Sequence, residues 1–128
     1  MNTANKKIKS FTDLDAWREA HKLVLMVYEI TRNFPKEELF GLVSQMRRAA
    51  VSITSNIAEG FSRQFYREKV QFYTVAQSSN TELQNQLLVA KDVGYLAKTD
   101  IDNIANQSVR VHKVLNGLIK KSKSIRDS

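Results

Sequence analysis

Apolar side chains recur at intervals of three and four residues through four segments of the chain, the pattern of helices that each bury one face. In the first segment the stripe is Leu14, Trp17, Ala20, Val24, Val27 and Thr31. Thr12 opens it, with Asp13 and Asp15 suited to the positive end of the helix dipole. Phe34-Pro35 closes it, because a proline pushes the residue before it out of helical backbone. The second helix is expected from about Lys36, with Glu37 and Glu38 in its first turn. Leu39, Leu42, Met46, Ala49, Ala50, Ile53 and Ile57 form its stripe, and Gly60 is expected to end it as a left-handed cap. After a short connection from Phe61 to Phe65, the third helix runs from about Tyr66 to Val93 on Phe72, Tyr73, Ala76, Leu83, Leu87 and Ala90, and Gly94 caps it. Thr99, with Asp102 three residues on, opens the fourth as a capping box. Ile101, Ile104, Ser108, Val111, Leu115 and Leu118 carry that helix to about Lys121. Long helices joined by short loops pack antiparallel, so the expected fold is all-α, an up-and-down four-helix bundle over residues 12–121. A flexible basic arm (1–11) and a basic tail (122–128) are expected to flank it.

Three stretches exceed what one buried face requires. Leu23 to Tyr28 is an unbroken apolar run, which at about 100° per residue covers the whole circumference of its helix. It suggests a second buried surface and therefore oligomerisation; the plainer alternative is a wide stripe with a few exposed aliphatics. On the second helix, Arg48, Ser52, Ser55 and Glu59 share the side opposite the stripe. Small serines there permit close approach of another helix, and Glu59, at the negative end of its helix, calls for a cation such as Arg63 or Arg48. The third helix carries Gln77, Ser78, Ser79, Asn80 and Thr81, then Gln84, Asn85 and Gln86. Uncharged polar residues in that density suit subunit contacts or a wet channel, since they hydrogen-bond without the desolvation cost of a charge. An ordinary exposed face is the alternative.

Composition narrows the class. A chain of 128 residues is one domain in length, and its single proline and four glycines favour long helices. With no cysteine, disulfides and thiolate metal sites are excluded, which suits a reducing cytoplasm. Lys6, Lys7 and Lys9 precede no apolar run, so no signal peptide is expected, and no stretch approaches a membrane span. The net charge of +7 is unevenly placed. Residues 1–10 contribute three lysines and no acid, and residues 119–128 contribute Lys120, Lys121, Lys123 and Arg126 against Asp127. The thirteen basic and twelve acidic residues between them leave the body of the bundle nearly neutral. Basic extensions on a neutral body attract phosphate through counterion release, or serve only as solubilising tails.

No catalytic constellation is present. There is no glycine-rich phosphate loop and no His-Glu-x-x-His. Bundles hold di-iron sites through Glu-x-x-His pairs, but the residues three before His21 and His112 are Arg18 and Val109. Ser52 and Ser55 have no histidine nearby in sequence to activate them. The reading is therefore not an enzyme, with no catalytic or metal site, no cofactor and no small-molecule substrate. The best candidate surface gathers Arg47, Arg48, Arg63, Arg67 and Lys69 with Phe61, Phe65 and Tyr66 around the second connection. Cations interleaved with aromatics bind phosphates and stack on unpaired bases. The structural alternative is that the aromatics pin the loop and the arginines pair with Glu59 and Glu68.

From Phe11 to Tyr95 the chain resembles the bacterial four-helix-bundle family of the 23S rRNA intervening-sequence protein. The resemblance rests on Phe11-Thr-Asp-Leu-Asp-Ala-Trp17 with Ala20 and Tyr28, and on Phe34-Pro35 with Glu38, Gly41 and Leu42. Its most specific part is Gln45 to Ile53 followed by Ser55-Asn56-Ile57-Ala58-Glu59-Gly60, in which Ser52, Ser55, Asn56, Glu59 and Gly60 stand as a structural signature. Glu82-Leu83, Leu87, Ala90 and Gly94-Tyr95-Leu96 complete it. The resemblance implies a cytoplasmic bundle assembled as a ring-shaped homopentamer. It also implies kinship with accessory proteins of diversity-generating retroelements, which bind nucleic acid and a reverse transcriptase. At Gln77-Ser78-Ser79-Asn80 the chain departs from the family, whose members often carry a glycine and a basic residue there.

The function expected from these readings is a non-catalytic, oligomeric accessory protein that binds RNA mainly through charge. The candidate contacts are Arg47, Arg48, Arg63, Arg67 and Lys69 with the terminal lysines 6, 7, 9, 120, 121 and 123. The alternative is a protein–protein adaptor that docks a polymerase-like partner.

Overall fold

The computed structural model describes residues 7–128, so Lys6 lies outside the described residues. They form four α-helices and no strand: α1 (Asp15–Thr31), α2 (Ser44–Ser62), α3 (Tyr66–Asp92) and α4 (Lys98–Arg126). Cross-helix hydrogen bonds establish the antiparallel order. Ser52 of α2 meets Ser79 of α3 at 2.8 Å, and the Gln77 side chain donates to the His112 carbonyl at 3.1 Å while Asn80 donates to that of Ser108 at 3.0 Å. Gln107 of α4 donates to the Glu19 carbonyl of α1 at 2.8 Å. Each helix thus lies beside its neighbours in sequence, and α4 closes the square on α1.

The helix ends differ from the sequence expectation in four places. First, Ser10 and not Thr12 caps the entry to α1. Its hydroxyl accepts the Thr12 N–H, and the Asp13 carboxylate accepts the N–H groups of Ser10 and Lys9, completing a capping box on a 3₁₀ turn (Phe11–Asp13) ahead of the helix. Second, α2 starts at Ser44, not Lys36. A 3₁₀ turn (Lys36–Glu38) and one wide turn (Leu39–Val43) come first, because the Glu38 carboxylate accepts the Leu42 N–H at 3.3 Å and Gly41 leaves helical backbone. The other Glu38 oxygen accepts the Tyr95 hydroxyl at 2.8 Å, and Tyr95 packs on buried Phe34 with ring centroids 5.3 Å apart. Third, Gly60 is no cap. It lies inside α2, and a Cβ there would stand 2.6 Å from Tyr73 Cε1, so a buried aromatic ring occupies the space a side chain would need. Gly94, with φ +86°, is the left-handed cap the sequence indicated after α3. Fourth, α4 begins at Lys98 without a side-chain cap from Thr99 and continues past Lys121 to Arg126. Its extra turns are anchored by Ile119 and Ser122, both buried, the Ser122 hydroxyl donating to the Leu118 carbonyl at 2.8 Å.

Leu23, Met46, Ile53, Ile57, Leu83, Ile104 and Leu115 are fully enclosed and span all four helices. The apolar run of α1 divides between core and surface: Leu23, Val24 and Val27 are buried, whereas Leu25 is 57% exposed and Tyr28 39%. The polar stretch of α3 does much of its bonding inside the chain. Asn80, 1% exposed, exchanges hydrogen bonds with both the carbonyl and hydroxyl of Ser108, and Gln84 donates to the same hydroxyl at 2.8 Å. Buried polar groups satisfied on both sides fix the register of α3 against α4. Ser78, Thr81, Glu82 and Asn85 are left outside.

Candidate nucleic-acid interface

The continuation of α4 changes which residues share a surface. Its C-terminal turns lie beside the start of α3 and the residues ahead of α1. Ile8, Leu14, Phe61, Tyr66, Lys69, Leu118, Lys121 and Ile125 surround one hollow of about 290 Å³ at this end. Beside it, Phe65, Tyr66, Arg67, Ile125 and Arg126 line a cleft of about 480 Å³. Residues expected in a separate tail are therefore neighbours of the second connection, whose irregular part is only Arg63 to Phe65.

The cations at this end fall into two groups. Lys69 is committed to the fold: its ammonium donates to the carbonyls of Phe61 at 2.7 Å and Gly60 at 3.4 Å, and it lies within 5.6 Å of the Phe61 and Tyr66 rings. It neutralises the negative end of α2, and partial burial holds its pKa below the ordinary lysine value. Arg63 donates to Glu59 at 3.1 Å and sits over the Phe72 ring at 4.5 Å, so Arg63 is the cation Glu59 requires. Glu68 takes no arginine among the described residues. Arg67, Lys120, Lys121 and Lys123 make no ion pair among the described residues and stand exposed, as do Lys7 and Lys9. Arg126 is held by Asp127 at 2.7 and 3.1 Å; that pairing pushes the arginine pKa up and the aspartate pKa down.

Arg47 and Arg48 belong elsewhere. Fifteen residues of helix separate Arg48 from Arg63, about 22 Å along α2. Arg47 donates to Thr31 at 3.0 Å and covers the Tyr28 ring at 4.6 Å. Arg48 faces a shallow hollow of about 660 Å³ with Tyr28, Leu39, Phe40, Val43 and Val51, and Phe40 is 93% exposed beside it. The cluster read from sequence as one surface is thus two.

The signature residues explain themselves in the α2–α3 contact. Asn56 donates to the carbonyl and hydroxyl of Ser52 at 2.8 and 3.1 Å, Ser52 bonds Ser79, and Gly60 admits Tyr73. The helix that the serine at 52 lets approach is the chain's own α3. Ser55 stays exposed on the outer hollow. His21 stacks on Trp17 at 4.6 Å, and the His112 carbonyl accepts from Gln77. Among the described residues no three His, Asp or Glu converge in a way that could hold a metal ion, and no helix is long and apolar enough to cross a membrane. Ile125 and Arg126 line this candidate surface without having been singled out as contacts from the sequence. The signal for them was present in the four-residue step from Leu115 to Ile119, which continues the α4 stripe toward Ser122.

A model of the 23S rRNA-intervening sequence protein family matches residues 12–117. Among solved structures, a crystal structure at 1.70 Å of a protein of unknown function from the S23 ribosomal protein family of Bacteroides thetaiotaomicron VPI-5482 is similar, with a TM-score of 0.76. It is 20% identical, and the alignment covers 82% of this chain and 95% of that one. No curated protein matches.

Proposed function

This chain belongs to the 23S rRNA-intervening sequence protein family, and from that premise we propose that it is a non-catalytic, oligomeric accessory protein that binds RNA in the cytoplasm. The observation that carries this reading is the convergence of unpaired cations and exposed aromatics at one end of the bundle. Arg67 and Lys121 lie there with Phe65 and Tyr66 on a body otherwise close to neutral. Unpaired, solvated cations release counterions from a phosphate chain at little desolvation cost, which gives affinity without sequence preference. Oligomerisation, to the homopentamer that the family resemblance implies, is supported by the apolar surface left at the other end, where Phe40 is 93% exposed and Leu39 50%. In a ring the basic end would repeat, and weak contacts would add by avidity.

The test is RNA retention over a salt series by the intact chain and by a variant with Lys120, Lys121 and Lys123 changed to Gln. Substitution is preferable to truncation, because removing 120–128 would delete buried Ser122 and the end of α4. The intact chain should lose affinity steeply with salt, and the variant's log–log slope should be shallower by roughly 2 for a single-stranded RNA. No retention at low salt would end this reading. The exposed Phe40 patch would then favour the second one, an adaptor that docks a polymerase-like protein partner through its apolar end.

A further inference from the structure

We propose that the cleft between the α2–α3 connection and the last turn of α4 takes one unpaired base of a single-stranded RNA, stacked on Phe65. This rests on the RNA-binding reading above and specifies which form of RNA the site selects.

Four of the six phenylalanines have a partner inside the chain. Phe34 is buried, Phe11 meets Trp17 edge-on at 5.6 Å, Phe61 lies under Lys69 and Phe72 under Arg63. Phe65 has none among the described residues: it is 56% exposed, on extended backbone (φ −102°, ψ 137°) one residue ahead of α3. A half-exposed aromatic leaves apolar surface in water that a ligand can cover. Phe40 is the other exposed one; Arg47 and Arg48 also line its hollow, but Arg47 is turned to Thr31 and the Tyr28 ring, and the wall of Leu39, Val43 and Val51 suits protein side chains.

The cleft around Phe65 has one aliphatic residue in its lining against three in the Phe40 hollow. Tyr66 and Ile125 extend the apolar floor, Arg67 supplies positive charge, and Arg126 lines the cleft with its charge met by Asp127. Asp127 fixes the Arg126 guanidinium through Nε and Nη2, leaving Nη1 without a hydrogen bond among the described residues. A flat apolar floor flanked by cations complements a ligand that is planar and anionic together, as a nucleotide in a single strand is. A duplex keeps its bases stacked inside and offers this cleft only phosphate, which would leave Phe65 unused. An acidic peptide would likewise satisfy only the cations.

The experiment compares the full chain's affinity for a short single-stranded oligoadenylate, an abasic strand of equal length, and a hairpin duplex. The base-bearing strand should bind roughly tenfold tighter than the abasic one, the size of one aromatic–base stack. Phe65→Leu, which keeps the apolar bulk and loses the π-face, should bring the two strands to parity, while Phe65→Trp should preserve the gap. Arg67→Gln should weaken all three ligands alike. Equal retention of abasic and base-bearing strands by the intact chain, or a gap that Phe65→Leu leaves unchanged, overturns the inference while the RNA-binding reading stands. Failure to retain any of the three at low salt removes both.

Discussion

Where α1 passes to α2, the acid that sequence placed near a helix start is consumed within the fold. Glu38 accepts the Leu42 N–H with one oxygen and the Tyr95 hydroxyl with the other, and Phe34 closes over Tyr95. What remains outside there is mixed: Leu39 and Phe40 form an apolar patch beside exposed Arg32, Lys36 and Glu37. At the opposite end, where α2 passes to α3, two cations are consumed in the same manner, Lys69 by two carbonyls and Arg63 by Glu59 and a ring. Three more, Arg67, Lys120 and Lys121, are left without an ion pair among the described residues, and Lys123 feels only the nearby Asp127 carboxylate. The difference teaches that a charge serves a site only after the fold's own needs have been met. Each helix end needs about one counter-charge, and the basic end has more cations than helix ends to neutralise.

The contrast depends on the α2–α3 connection being held against α4, and the sharpest way to break it lies just beneath. Gly60→Ala would put a Cβ 2.6 Å from Tyr73 Cε1 and 3.0 Å from Phe72 Cβ. The ring is buried and cannot swing aside, so overpacking should cost about 3 kcal/mol. That is a fall on the order of 10 °C in thermal midpoint, with chemical denaturation giving the same ranking. A midpoint within a degree of the parent would mean that the connection adjusts freely.

Alkaline titration sharpens the comparison next, because each end holds a tyrosine with a raised pKa for a different reason. Tyr95 is raised chiefly by its hydrogen bond to Glu38, and Tyr73 is pushed up to about 12 by burial first and by Tyr66 second. Between pH 10 and 12 the unfolded chain releases the Tyr73 proton while the folded chain keeps it, so the folded state binds more protons and stability falls as pH rises. The contribution is complete below pH 10 and amounts to about 2 kcal/mol lost by pH 12. Denaturation midpoints of parent and Tyr73→Phe across this range should converge at neutral pH, with a clearly flatter alkaline limb in the variant. Parallel limbs would show that Tyr73 ionises as readily in the fold as outside it.

The smallest effect concerns Glu59. Its pair with Arg63 is exposed on both sides, so Glu59→Gln should change stability by only about 0.5 kcal/mol or less. RNA affinity should rise slightly, since Arg63 would be released toward the basic end. A large loss of stability on denaturation would place the pair among the fold's supports.

How far the sequence could be read depended on how local the deciding physics was. Gly94 was legible as a cap because a positive φ is a property of one residue and its immediate neighbours. Gly60 was misread for the converse reason, since what excludes a side chain there is Tyr73, thirteen residues on and on another helix. The end of α4 was placed too early because the core position after Ile119 is a serine, which breaks an apolar count although it is 3% exposed. The polar run of α3 suggested an external contact, and only the position of Ser108 on α4 shows that Asn80 and Gln84 are satisfied within the chain.

Hydrophobic periodicity by itself determined four helices, their antiparallel order and most of the core, because a stripe at 3.6-residue spacing has one economical way to be buried when the loops are short. Composition and net charge determined that basic residues exceed what the bundle body neutralises. Tertiary structure alone decided which cations remain available. It set Arg47 and Arg48 about 22 Å from the basic end, fastened Lys69 to carbonyls, and brought Ile125 and Arg126 to Phe65 across nearly half the chain. Pairing and desolvation depend on distance in space, which is fixed only when the four stripes have closed on one another.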